Sequence, residues 1–190
     1  MNIGLYGEPT NLELLKYKGL YRQNNLIDFY YNNVFESYIE WYFSISTEGN
    51  YIQYTKENEI RVIFLYKILK AENWYGDIIL FTDNIDTAIS TDYELIGYDV
   101  CADSKYYSPI GDGFLESYDT DNVFFFEMNK NDYQNYKNNI NDYGLFSSYD
   151  TALIFSSYCN KINNKYKHAV ETEKNWRPFA IYRRRQYNTE

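Results

Sequence analysis

The sequence predicts an α+β fold, with a largely antiparallel sheet flanked by helices and a helical N-terminal region. Three observations carry that expectation. Apolar residues recur at helical spacing over long stretches before residue 71. Short apolar runs at 77–82 and 94–102 are bounded by turn residues and read as strands. Helices and strands come in mixed order, without the regular alternation that a parallel sheet requires. With 190 residues, 45% of them hydrophobic, the chain fits a single domain over 1–190. Within it, 1–71 reads as mainly helical and 72–190 as an α+β core.

Thr10 heads a capping box completed by Glu13 and opens a short helix that Gly19 stops. From Asn25, the residues Ile27, Tyr30, Tyr31, Val34, Tyr38 and Trp41 mark one face of an amphipathic helix reaching Phe43. Glu48-Gly49-Asn50 is a turn signal, and 51–55 alternates like a short strand. A helix follows over 58–71, its length outweighing the strand-like run Val62-Ile63-Phe64-Leu65.

Residues 77–82 form a buried strand, 84–90 a short helix capped by Asp83 or Asn84, and 94–102 a second strand containing Cys101. Pro109, Gly111 and Gly113 mark 106–118 as loop. The Phe-rich 123–128 reads as a third, central strand. Residues 131–141 predict a helix weakened by its asparagines and terminated by Gly144. Ser147 and Asp150 form another capping box, opening a helix that reaches Asn160. Residues 179–182 are the last strand, ended by Arg183-Arg184-Arg185.

Charge is the most uneven property of the chain. Between Ala71 and Asn129 there are thirteen carboxylates and one base, Lys105, against a net charge of -9 for the whole. Such a stretch repels polyanions and attracts basic surfaces. Residues 161–185 hold eight bases against Glu171 and Glu173, and are expected to lie against the acidic middle or to fray into solvent. Nucleic acid is therefore not an expected partner, since its binders carry a basic footprint. Aromatic residues make up 21% of the chain, 24 of them Tyr. Tyrosine pairs a large apolar ring with a hydrogen-bonding tip and suits recognition faces, although base composition also inflates its count.

The search for catalytic or metal chemistry finds little. Asp119-Thr120-Asp121 matches a metal-binding DxD tripeptide, but such tripeptides arise often by chance. Calcium-loop spacing fails from either Asp112 or Asp119. Cys101, Cys159 and His168 lack zinc spacing, and no phosphate-cradling or nucleophile-elbow motif occurs. No catalytic residue, metal or cofactor is expected. No apolar run approaches the ~20 residues that span a bilayer, so no membrane partner is expected. Met1-Asn2-Ile3-Gly4 reads as a start without a signal peptide or acylation signal, which predicts a cytoplasmic protein with reduced cysteines.

Two stretches resemble a known family. Leu95-Ile-Gly-Tyr-Asp-Val-Cys-Ala-Asp103, with Tyr106-Tyr-Ser-Pro109 following, resembles a GxDVAD…S segment. Asn141-Asp-Tyr-Gly-Leu-Phe-Ser-Ser-Tyr-Asp-Thr-Ala152 resembles a helix-entry segment of the form LNEYGLF. Both are similar to small immunity proteins of bacterial polymorphic and contact-dependent toxin systems. Cys101, inserted between Val100 and Ala102, departs from the pattern, and the region up to Ala71 lies outside it.

The resemblance implies a non-catalytic inhibitor that binds and neutralises a toxin, many such toxins being basic nucleases. The acidic, Tyr-rich stretch supplies the countersurface: Asp99, Asp103, Tyr106, Tyr107, Asp112, Phe114, Glu116, Tyr118, Asp119 and Asp121. Against it stand a loop that is merely solvated, a metal-dependent enzyme or small-molecule binder using the acidic cluster, and a phage- or plasmid-borne anti-defence protein mimicking nucleic-acid charge. Oligomeric state is left open by the sequence.

Overall fold

The computed structural model describes residues 1–8, 51–71, 75–102, 118, 126–166 and 175–185. The two helices expected before residue 50 lie outside them. The described elements run β1 (Asn2–Glu8), β2 (Tyr51–Gln53), α1 (Lys56–Ala71), β3 (Tyr75–Thr82), β4 (Tyr93–Ala102), α2 (Lys130–Asn138), α3 (Tyr149–Lys165) and β5 (Trp176–Arg184). The strands form one five-stranded sheet in the order β2-β1-β3-β5-β4. β1 is antiparallel to β2, with Ile3 opposite Ile52, and to β3, from Asn2 opposite Phe81 to Glu8 opposite Tyr75. The α+β class with an antiparallel sheet is what the sequence predicts.

β1 departs from the reading of 1–71 as mainly helical. Ile3 and Leu5 are buried on alternate positions of an extended segment, a period of two that a sheet satisfies. α1 starts earlier than 58 because the Thr55 hydroxyl accepts the Asn58 N–H at 3.0 Å and so caps the helix. Its helical period sorts the run 62–65, burying Val62 and Leu65 while Phe64 faces outward.

The helix expected at 84–90 is absent, and its residues form turns. The Asn84 amide oxygen takes the Asp86 N–H at 3.1 Å and the Thr82 hydroxyl takes the Asn84 N–H at 3.1 Å. These local side-chain bonds compete with the helical ladder. The strand expected at 123–128 is corrected where it is described: Phe126 and Glu127 make a turn. Asn129 then caps α2 by accepting the N–H groups of Asn131 and Asp132, both at 2.9 Å. α2 stops at Asn138, before the expected 141, and Ser148 rather than Ser147 caps α3, accepting the Thr151 N–H at 3.2 Å.

The chain divides into two compact units, Met1–Phe81 with Ser90–Glu94 and Arg183–Glu190, and Thr82–Ile89 with Leu95–Tyr182. In the first, α1 packs on β1 and the interior holds Ile3, Leu5, Val62, Leu65, Leu69, Ile78 and Leu80. In the second, α3 turns Ala152, Phe155, Cys159 and Ile162 inward at helical spacing. Phe155 meets Tyr136 at 4.9 Å and Phe146 at 5.3 Å between ring centroids, both edge-on. Burying each such ring stabilises the fold by roughly 1.5–3 kcal/mol.

Candidate functional site

Of the ten residues expected to form a partner surface, Asp99 and Tyr118 are described; Asp103, Tyr106, Tyr107, Asp112, Phe114, Glu116, Asp119 and Asp121 lie outside the described residues. Both described members serve the fold directly. Asp99 is half-buried on β4 and its carboxylate accepts the Val100 N–H at 2.7 Å. It also faces the Cys101 thiol, whose pKa rises first through burial and then through this neighbouring charge and hydrogen bond. The Tyr118 hydroxyl donates to the Met128 carbonyl at 2.7 Å, and its ring packs on Tyr133 at 5.3 Å.

Several acids of the middle segment have basic partners from the C-terminal stretch, which does lie against them. Arg177 pairs with Asp83. Arg183 binds Glu94 through Nε at 3.1 Å and an Nη at 2.6 Å, with Arg185 at 3.6 Å. Lys161, at 3.0 Å, and Lys165 close on Glu127, which also accepts the Tyr166 hydroxyl at 3.2 Å. Hydrogen bonds from Lys165 and Lys161 lower the Glu127 pKa to about 2, and Arg183 lowers that of Glu94. In the sequence, the segment 103–121 holds five further carboxylates and one lysine.

β4 and the segment 141–146 meet in space. Tyr98 and Phe146 exchange both backbone hydrogen bonds at 2.9 Å, and the Asn141 amide donates to the Ile96 carbonyl at 2.7 Å. Asn141 also accepts the N–H groups of Tyr143 and Leu145, at 3.0 and 3.2 Å, shaping a turn in which Gly144 takes φ +72°. A Cβ at Gly97 would sit 2.7 Å from the Leu145 Cβ, so glycine is what lets the loop come this close. Phe146, Ala152 and Val100 fill the core.

One constellation was not visible in the sequence. The Glu59 carboxylate, on a residue 1% exposed, accepts the hydroxyls of Tyr93 at 2.9 Å and Tyr54 at 3.1 Å and pairs with Lys56 at 2.7 Å and Arg184 at 3.4 Å. Burial alone would raise its pKa, but hydrogen bonds from Lys56, Tyr93 and Tyr54 hold it below the ordinary value. Only the Tyr54–Lys56–Glu59 spacing is local; Arg184 lies 125 positions away.

Among the described residues no group of His, Cys, Asp and Glu is arranged to hold a metal ion. Cys101 and Cys159 are free and buried, and burial pushes both thiols well above their ordinary pKa. Such thiols stay protonated and make poor nucleophiles. Among the described residues no helix is long and apolar enough to cross a membrane. No protein-family profile, curated protein or solved structure matches this chain.

Proposed function

We propose that this chain is a non-catalytic cytoplasmic immunity or inhibitor protein that binds and neutralises a basic bacterial toxin, using the acidic and aromatic residues of 103–121. The observation that carries the reading is the charge of the segment 103–121 in the sequence, five carboxylates against one lysine. Asp83, Glu94 and Glu127 are matched by bases from the C-terminal stretch. Asp103, Asp112, Glu116, Asp119 and Asp121, interleaved with Tyr106, Tyr107, Phe114 and Tyr118, have only Lys105 nearby in sequence. An acidic surface steers a basic partner, and aromatic anchors hold it once docked. Stoichiometric inhibition needs no catalytic group or cofactor, in keeping with the buried, protonated thiols.

The first test is whether a toxin gene adjoins this one; the second is binding kinetics with the product of such a gene across a salt series. Association should slow as salt rises, because opposite charges are screened over ~8 Å at physiological ionic strength. Replacing Asp112, Glu116, Asp119 and Asp121 together by Asn or Gln should lower the association rate. Tyr107→Ala or Phe114→Ala should instead raise the dissociation rate. Salt-independent association, with the amide variant binding like the parent, would refute the assignment of the surface.

A further inference from the structure

Among the described residues β4 is an outer strand of the sheet, ten residues long, whereas the opposite outer strand, β2, has three. A long outer strand presents a row of N–H and C=O groups that can pair with another chain. In this molecule the middle of that row, from the Ile96 carbonyl to the Val100 N–H, has partners within the chain. Tyr98 gives its N–H and its carbonyl to Phe146, and the Ile96 carbonyl accepts the Asn141 side-chain amide. Two residues past Tyr98, on the same edge by strand alternation, the Val100 N–H is taken by the carboxylate of Asp99.

We propose that the loop 141–146 is an edge guard: it fills the pairing groups of β4 and so keeps this strand from pairing with the β4 of a second copy of the chain. A second copy is the occupant the geometry favours. Two identical outer strands related by a two-fold axis pair antiparallel with each residue contacting its counterpart, so no further complementarity has to be found.

The guard occupies the edge in three ways. Its backbone at Phe146 imitates a neighbouring strand for one residue pair only, which satisfies Tyr98 without extending the sheet. The Asn141 side chain takes the next carbonyl and, by holding Tyr143 and Leu145, turns the chain away from the strand. Asp99 adds a charge beside the edge, and like charges brought together across a two-fold axis repel. Gly97 makes the close approach possible, since a Cβ there would meet Leu145 and the Asn141 amide at 2.7 and 2.9 Å. This inference is independent of the proposed toxin partner, because it concerns what the edge is protected from.

The experiment joins amide hydrogen exchange with sedimentation velocity over a concentration series, on the parent, Asn141→Ala and Asn141→Asp. In the parent, the Tyr98 and Phe146 amides should exchange slowly. Asn141→Ala should speed both by about tenfold, the scale of a lost hydrogen bond, and should produce larger, concentration-dependent species than the parent forms. Asn141→Asp keeps the oxygen that accepts from Tyr143 and Leu145 and loses the donor to Ile96, so it is the milder variant if the alanine does not fold. Gly97→Ala should act in the same direction by pushing the loop off the strand. A Tyr98 amide that exchanges in the parent like an open loop would overturn the proposal. So would folded variants that sediment like the parent at every concentration. If no variant folds, fast exchange of the Tyr98 amide in the parent still overturns the proposal.

Discussion

Glu59 and Glu127 each accept hydrogen bonds from lysine and tyrosine, but the Glu59 side chain, at the start of α1, is 2% exposed and that of Glu127 is 20% exposed. The chemistry is nearly the same and the consequences differ. Around Glu59 water cannot replace a lost partner, so the carboxylate and the buried hydroxyl of Tyr93 depend on one another. Around Glu127 water competes for every group, and the ion pair is one of several acceptable states of the side chains. A carboxylate drawn from an acidic sequence is thus a structural element in one place and a surface charge in another, and burial decides which.

The largest effect is expected at Glu59. Glu59→Ala should cost about 3 kcal/mol, the low end for breaking a buried pair because Lys56 remains solvated. Urea denaturation measures it, and a loss below about 1 kcal/mol would place Glu59 in the same class as Glu127. Tyr93→Phe keeps the buried ring and removes one donor to Glu59, so a loss of about 1 kcal/mol is expected. No loss at all would mean the hydroxyl is not part of the network.

The pH dependence sharpens the same contrast. Both glutamates have folded pKa values below the ordinary 4.5, so each contributes stability that is present above that value and lost as pH falls through the folded pKa. For Glu127 the window runs from 4.5 down to about 2. Glu59→Gln should flatten the acid limb of stability against pH relative to the parent; a limb unchanged by the variant would remove Glu59 from the linkage. The smallest effect is expected for Glu127→Gln at neutral pH. Its thermal midpoint should fall only slightly, since solvent screening of the exposed lysines shrinks what the ionised carboxylate contributes. A fall comparable with that of Glu59→Ala would erase the distinction.

Local chemistry made the helices legible. Thr55, Asn129 and Ser148 are capping residue types in the right neighbourhoods, and the inward stripe of α3 follows its helical period. Where local signals competed, the reading failed. Residues 83–90 offer good capping side chains, and those same side chains bond the backbone into turns. β1 was missed although Ile3 and Leu5 alternate with Gly4 and Tyr6, because two glycines weaken a strand signal and the stabilising partner, β3, is remote in sequence. Asp99 was the expected surface residue most at risk beside Gly97 in a strand, and it is half-buried with its carboxylate on the Val100 N–H.

By itself the sequence determined the α+β class, the approximate places of the three described helices and the concentration of acids between residues 71 and 129, because periodicity, capping and charge are properties of neighbours along the chain. Only the tertiary structure decided which of those acids are neutralised, that Glu59 gathers residues from distant strands, and that the loop 141–146 closes the edge of β4. Ion pairs and hydrogen bonds act over a few ångströms, and partners such as Glu59 and Arg184, 125 positions apart, come within that distance only through the topology of the sheet.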